Sequence, residues 1–142
     1  MNRLAQFERA LLQAERPWRP SPLRVRSRWQ SFRNAFQGLQ DAWKTQGNLR
    51  LQVYIALGAV ALGAYVRLSL MEWLWISFAI GLVIFAELMN TAIEQTVDLV
   101  VGLRPDPLAR QVKDLAAGCV LVTASIAVVI GLLTFGPHLA RG

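Results

Sequence analysis

The chain has 142 residues, of which 54% are hydrophobic and 17% charged, with a net charge of +6 and one cysteine. That length makes one small domain, and its apolar residues come in blocks rather than as an amphipathic pattern, which points to a bilayer. A lone Cys119 among small apolar residues implies neither disulfide nor zinc chemistry, and no helix-turn-helix, zinc or aromatic-basic pattern accompanies the arginines. The basic charge is therefore read as attraction to anionic lipid headgroups, not to nucleic acid.

Residues 1–27 form a basic extension. Leu4, Phe7 and Leu11 make a helical apolar stripe over residues 1–16, and Pro17, Pro20 and Pro22 make Arg16 to Ser27 an extended linker. No short apolar core followed by a small-residue cleavage pattern marks it as a secretory signal. Residues 28–50 then place Trp29, Phe32, Phe36, Leu39 and Trp43 on or near one face, the pattern of an amphipathic helix lying along a membrane surface.

Residues 51–142 are expected to cross the membrane three times, with spans near 51–67, 72–100 and 113–137. Leu51 to Val66 is an uncharged run between Arg50 and Arg67, giving about 24 Å of helix that the flanking arginines can extend by snorkelling. Trp73 and Trp75 mark an interface at the start of the second run, which stays uncharged until Glu87. Leu115 to Ala140 contains no Asp, Glu, Lys or Arg. His138, near its outer end, has no obvious partner in the sequence.

Eight arginines within residues 1–33 place the N-terminus in the cytoplasm by the positive-inside rule. By alternation the Arg67 to Glu72 hairpin is outside, the loop from Leu99 to Lys113 is inside, and the C-terminus is outside. The second span therefore ends at the cytoplasmic face, where ATP and magnesium are found.

That end carries Glu87, Asn90, Glu94 and Asp98, which fall within an arc of roughly 80° on one helix face. Ionisable groups at membrane depth cost at least ~2.5 kcal/mol each against lipid and usually mark a functional site. The opposite face (Leu88, Met89, Ala92, Ile93, Val97) stays apolar, which disfavours a merely solvated helix end. Glu94 and Asp98 are suitable hard-oxygen ligands for Mg²⁺, and Lys113 beside Asp114 can neutralise phosphoryl oxygens. Glu87, deeper, is placed to act as a general base toward a hydroxyl arriving from the lipid side. The layout fits phosphoryl transfer at an interface, with nucleotide from water and acceptor from the bilayer.

The run Glu-Leu-Met-Asn-Thr-Ala-Ile-Glu-Gln-Thr-Val-Asp (87–98), followed by Asp-Pro-Leu-Ala-Arg-Gln-Val-Lys-Asp-Leu-Ala-Ala-Gly (106–118), closely resembles the integral-membrane bacterial diacylglycerol kinase and undecaprenol kinase family. The likeness covers about residues 28–137. It implies an all-α homotrimer of three-span subunits, each with a surface amphipathic helix, in the bacterial inner (plasma) membrane. It also implies a lipid kinase that uses Mg-ATP to phosphorylate diacylglycerol or undecaprenol. Carried over residue by residue, Glu87 is the catalytic base, Glu94 a metal ligand, Asn90 and Asp98 supports of the site, and Lys113 and Asp114 nucleotide contacts. Asp98 is a second candidate for metal and nucleotide. Ala59 with Gly63, and Ala127 with Gly131, are small-xxx-small pairs that permit close helix packing in a trimer.

Two positions depart from the family pattern. Gln46 stands where the family usually has a second metal-binding glutamate near the nucleotide, and its amide oxygen can coordinate Mg²⁺ but brings no charge. Asp106 stands where a His is common, which adds a negative charge on the nucleotide side. The competing reading is a non-catalytic membrane oligomer, scaffold or ion pathway, that uses the acidic stripe for assembly. A third reading is a lipid or nucleic-acid tether acting through the basic tail.

Overall fold

The computed structural model describes residues 28–102 and 104–140. The apolar stripe expected over residues 1–16, the linker expected over 16–27 and the arginines before Arg28 lie outside the described residues. Four helices account for the fold: α1 (Arg28–Thr45), α2 (Gly47–Tyr65), α3 (Leu70–Val101) and α4 (Pro107–Leu139), with no strand among the described residues. The chain divides into two compact units at Ala35 and Phe36, and of the first only Arg28–Ala35, the opening turns of α1, is described. The second holds the rest of α1 and the three remaining helices.

Among the described residues two helices are long and apolar enough to cross a membrane: α3, with 32 residues, and α4, with 33. Within the second unit they form an antiparallel hairpin with the largest helix contact, and α2 packs on α3 over a smaller area. At 19 residues, or about 28 Å, α2 is nearly long enough. Its first turns carry Asn48, Arg50 and Gln52, and this polar start keeps it from counting with the other two. The three crossings expected from the sequence are thus matched by two helices on length and composition.

Local chemistry sets each helix boundary. Gln46 is the N-cap residue of α2, and Arg50 Nη1 donates to the carbonyls of Trp43 and Lys44 at 3.2 and 3.1 Å, satisfying two of the orphan acceptors at the end of α1. Trp43 meets Tyr54 edge to face with ring centroids 6.2 Å apart, so the end of α1 is pinned to α2 by packing as well. Phe36 and Leu39, further back on α1, remain exposed.

The turn from α2 to α3 puts Arg67 in the left-handed region at φ 56° and ends in a reciprocal capping box. Glu72 N–H donates to Ser69 Oγ, while Ser69 N–H donates back to Glu72 Oε2 at 2.8 Å. Ser69→Ala is expected to cost about 1 kcal/mol, read as a lower thermal unfolding midpoint in detergent micelles. An unmoved midpoint would remove this cap from the account. Beside the turn, a Cβ on Gly63 would stand 2.9 Å from both Leu68 and Trp73, so only glycine lets α2 approach this closely. Gly63, expected to serve packing between subunits, is occupied within its own chain.

Glu72 also reaches across the hairpin. His138 Nε2 lies 2.8 Å from Glu72 Oε1, tying the end of α4 to the start of α3. At the other end, α3 stops at Gly102, whose φ of 64° few residues but glycine adopt readily. Asp106 starts α4: its Oδ1 accepts from Leu108 N–H and Ala109 N–H at 2.8 and 2.9 Å, with Pro107 in the first turn. This cap starts α4 six residues before the expected span, at 107 rather than 113.

Candidate functional site

Along α3 the acidic stripe changes its environment in order. Glu87 and Asn90 are buried, at 3% and 8% exposure, Glu94 is half-buried and Asp98 is exposed. Eleven residues separate the first from the last, about 16 Å of helix. The one face therefore connects a dry end to a wet end.

Each member has its own partner. Glu87 Oε2 accepts from Gln52 Nε2 of α2 at 3.0 Å, and Glu94 Oε1 accepts from Asn90 Nδ2 at 3.1 Å. Asp98 pairs with Lys113 of α4 through Oδ1. Asp114 sits 3.6 Å from Arg110, one turn away on the same helix, and both side chains are well exposed.

At the wet end, the turn between α3 and α4 opens into a cleft of about 410 Å³. Asp98, Lys113 and Asp114 line it, joined by Arg104, Asp106 and Arg110. Three basic and three acidic side chains share this open concavity; Lys113 and Arg110 are paired with Asp98 and Asp114, and Asp106 caps α4.

The prokaryotic diacylglycerol kinase family model matches residues 33–135, which takes in α2, α3, nearly all of α4 and the whole stripe. The chain belongs to that family. Among its relatives is the undecaprenol kinase of Bacillus subtilis, 41% identical over 111 residues, covering 78% of this chain and 89% of that protein. The diacylglycerol kinase of Synechocystis is 35% identical over 125 residues, covering 83% and 71%. The diacylglycerol kinase of Escherichia coli K12 is 25% identical over 104 residues, covering 73% and 84%.

As a family member the chain invites a test of its donors against the magnesium ion that such a kinase is expected to use. Asn90 Oδ1 is buried without a hydrogen-bond partner, and it belongs to the amide that holds Glu94. An orphaned amide oxygen beside a half-buried carboxylate is a hard-oxygen pair. It fits a cation that takes one or two protein ligands and completes its shell with water and phosphate. Among the described residues no three His, Cys, Asp or Glu side chains gather as an all-protein metal cage. Gln46 caps α2 without a side-chain cap bond and makes no hydrogen bond to Glu94 among the described residues.

Sequence reasoning missed Gln52 and the His138 to Glu72 contact. Gln52 is the one amide in the run from Leu51 to Val66, and a polar group in an apolar helix requires a partner, so the signal was present. Asp106 has a second role besides its charge, because Asp-Pro at the head of a helix is a capping signature. Its carboxylate is spent mainly on the backbone of α4, while it also lines the cleft.

Proposed function

We propose that this lipid kinase transfers the γ-phosphoryl group of Mg-ATP to the hydroxyl of diacylglycerol or undecaprenol at the cytoplasmic boundary of the inner membrane. The observation that carries the reading is the graded burial from Glu87 to Asp98, which ends at the charged cleft between α3 and α4. Lys113, with Arg104 and Arg110, faces the phosphates in this arrangement, and Glu87 takes the proton of the lipid alcohol. Glu94 and the free oxygen of Asn90 hold the cation, with Asp98 keeping Lys113 oriented. When bound, Mg²⁺ supplies charge neutralisation at the phosphoryl oxygens. Only the γ-phosphoryl need lie near Glu87, so the depth difference along the stripe keeps water at the nucleotide end and the alcohol at the dry end.

We further infer a homotrimer of three-span subunits, with α2 as the third crossing and its arginine-flanked ends at the headgroups. The exposed apolar surface of α2, α3 and α4, with Leu57, Phe78, Phe85 and Leu132 among it, supports burial against lipid and neighbouring copies. In this reading α1 lies on the cytoplasmic surface against anionic headgroups, with Phe36 and Leu39 in the interface.

The test is transfer of label from γ-labelled ATP in mixed micelles, with diacylglycerol and undecaprenol assayed in parallel. Label is expected in at least one lipid with Mg²⁺ present and in neither with a chelator. Absence of label in both lipids with Mg²⁺ would overturn the proposal, and the ratio of the two rates identifies the acceptor.

A further inference from the structure

We propose that Gln52 is a positioning residue for Glu87, an inference that rests on the reading of Glu87 as the base. The two residues are 35 apart in sequence and come from different helices, yet Gln52 Nε2 donates to Glu87 Oε2 at 3.0 Å. No lysine, arginine or histidine pairs with Glu87 among the described residues, so this amide is the donor that holds the carboxylate. With Oε2 fixed, Oε1 is left to accept the proton of an alcohol.

A neutral donor suits that task. A cation bonded to a carboxylate favours its charged form strongly and weakens it as a base, while an amide fixes the orientation at much smaller electrostatic cost. Gln52 also does not titrate, so the orientation it imposes is the same across the working pH range.

The other half of the amide argues that packing is not the reason for it. Gln52 Oε1 is buried without a partner, and Gln52 is the single polar side chain lining an apolar groove of about 310 Å³ between α2, α3 and α4. A methionine of similar shape would fill this place without stranding an acceptor. What the amide adds is the donor to Glu87.

The experiment is steady-state lipid kinase assay and thermal unfolding of Gln52→Met and Gln52→Asn, each also combined with Glu87→Asp, with Glu87→Gln alongside. Gln52→Met removes the donor at constant volume, and Gln52→Asn withdraws it by one methylene. Both are expected to lower kcat by about 10-fold to 100-fold with KM for ATP unchanged, since the nucleotide cleft is remote from this pair. Gln52→Met trades the stranded Gln52 Oε1 for an unpaired Glu87 Oε2, so its midpoint is expected to fall, and the split between kcat and KM for ATP is what separates positioning from structural support. In the Glu87→Asp background, where the carboxylate is already withdrawn from the amide, either change is expected to cost less than about two-fold more. A folded Gln52 variant with kcat within about two-fold of the parent, or an equal loss in both backgrounds, would overturn the proposal. If Glu87→Gln is itself fully active, the base reading fails first; if only Glu87→Gln is inactive, positioning alone fails.

Discussion

Glu87→Gln is expected to lower kcat by a factor of about 10²–10⁴ while leaving KM for ATP and the unfolding midpoint close to those of the parent. The substitution is isosteric, and the new amide still offers an oxygen to Gln52 Nε2, so the buried contact between α2 and α3 survives. What disappears is an acceptor for the alcohol proton. Phosphoryl transfer passes through a loose transition state in which the attacking oxygen keeps its proton until late, so a base contributes less than it would to a tighter reaction. That bounds the loss and sets it apart from collapse of the site, which would also raise KM and lower the midpoint. Steady-state kinetics at saturating lipid check it; full kcat would remove Glu87 from the base role.

The parts of this molecule legible in the sequence are those where one helix carries all the information. The stripe from Glu87 to Asp98 is such a case: period and apolar background placed four polar side chains on one face, and the structure grades their burial in the expected order. α3 and α4 are legible for the same reason, as long helices whose apolar stretches pass a length and composition test. Contacts between helices are a different matter. Gln52 to Glu87 and Glu72 to His138 join residues 35 and 66 apart, and their pairing depends on how the helices register. An isolated polar residue in an apolar run signals that a partner exists without identifying it.

Helix ends are poorly legible in hydropathy where side chains serve the backbone. The expected third span begins at 113, at the last charged pair, Lys113 and Asp114, because hydropathy alone sets that limit. Asp106 and Pro107 instead open α4 before it becomes apolar, so Arg110 rides on the same regular helix as Lys113 and Asp114 rather than in the expected loop. That rigidity matters for the site: Lys113 meets Asp98 because both are fixed on the two arms of one hairpin. Gly63 shows the converse, a small residue whose spacing suggested contact between subunits and whose neighbours turn out to be Leu68 and Trp73 of its own chain.

Glu94→Ala is expected to raise the Mg²⁺ concentration needed for half-maximal activity by about 10-fold or more and to abolish the thermal shift given by Mg-ATP. The assignment comes from comparing what each carboxylate already does. Asp98 is paired with Lys113, Asp114 with Arg110, Asp106 caps α4, and Glu87 is held by Gln52. Glu94 alone among these is bound by a neutral amide while standing half-exposed next to an unpaired oxygen, Asn90 Oδ1. Among the described residues its Oε2 has no hydrogen-bond partner and no basic side chain pairs with it. Asp98→Asn is expected to shift the same titration less, because what it disturbs first is Lys113, and its effect should appear in KM for ATP. A magnesium titration unchanged by Glu94→Ala would reverse that order and move the cation toward Asp98 in the cleft.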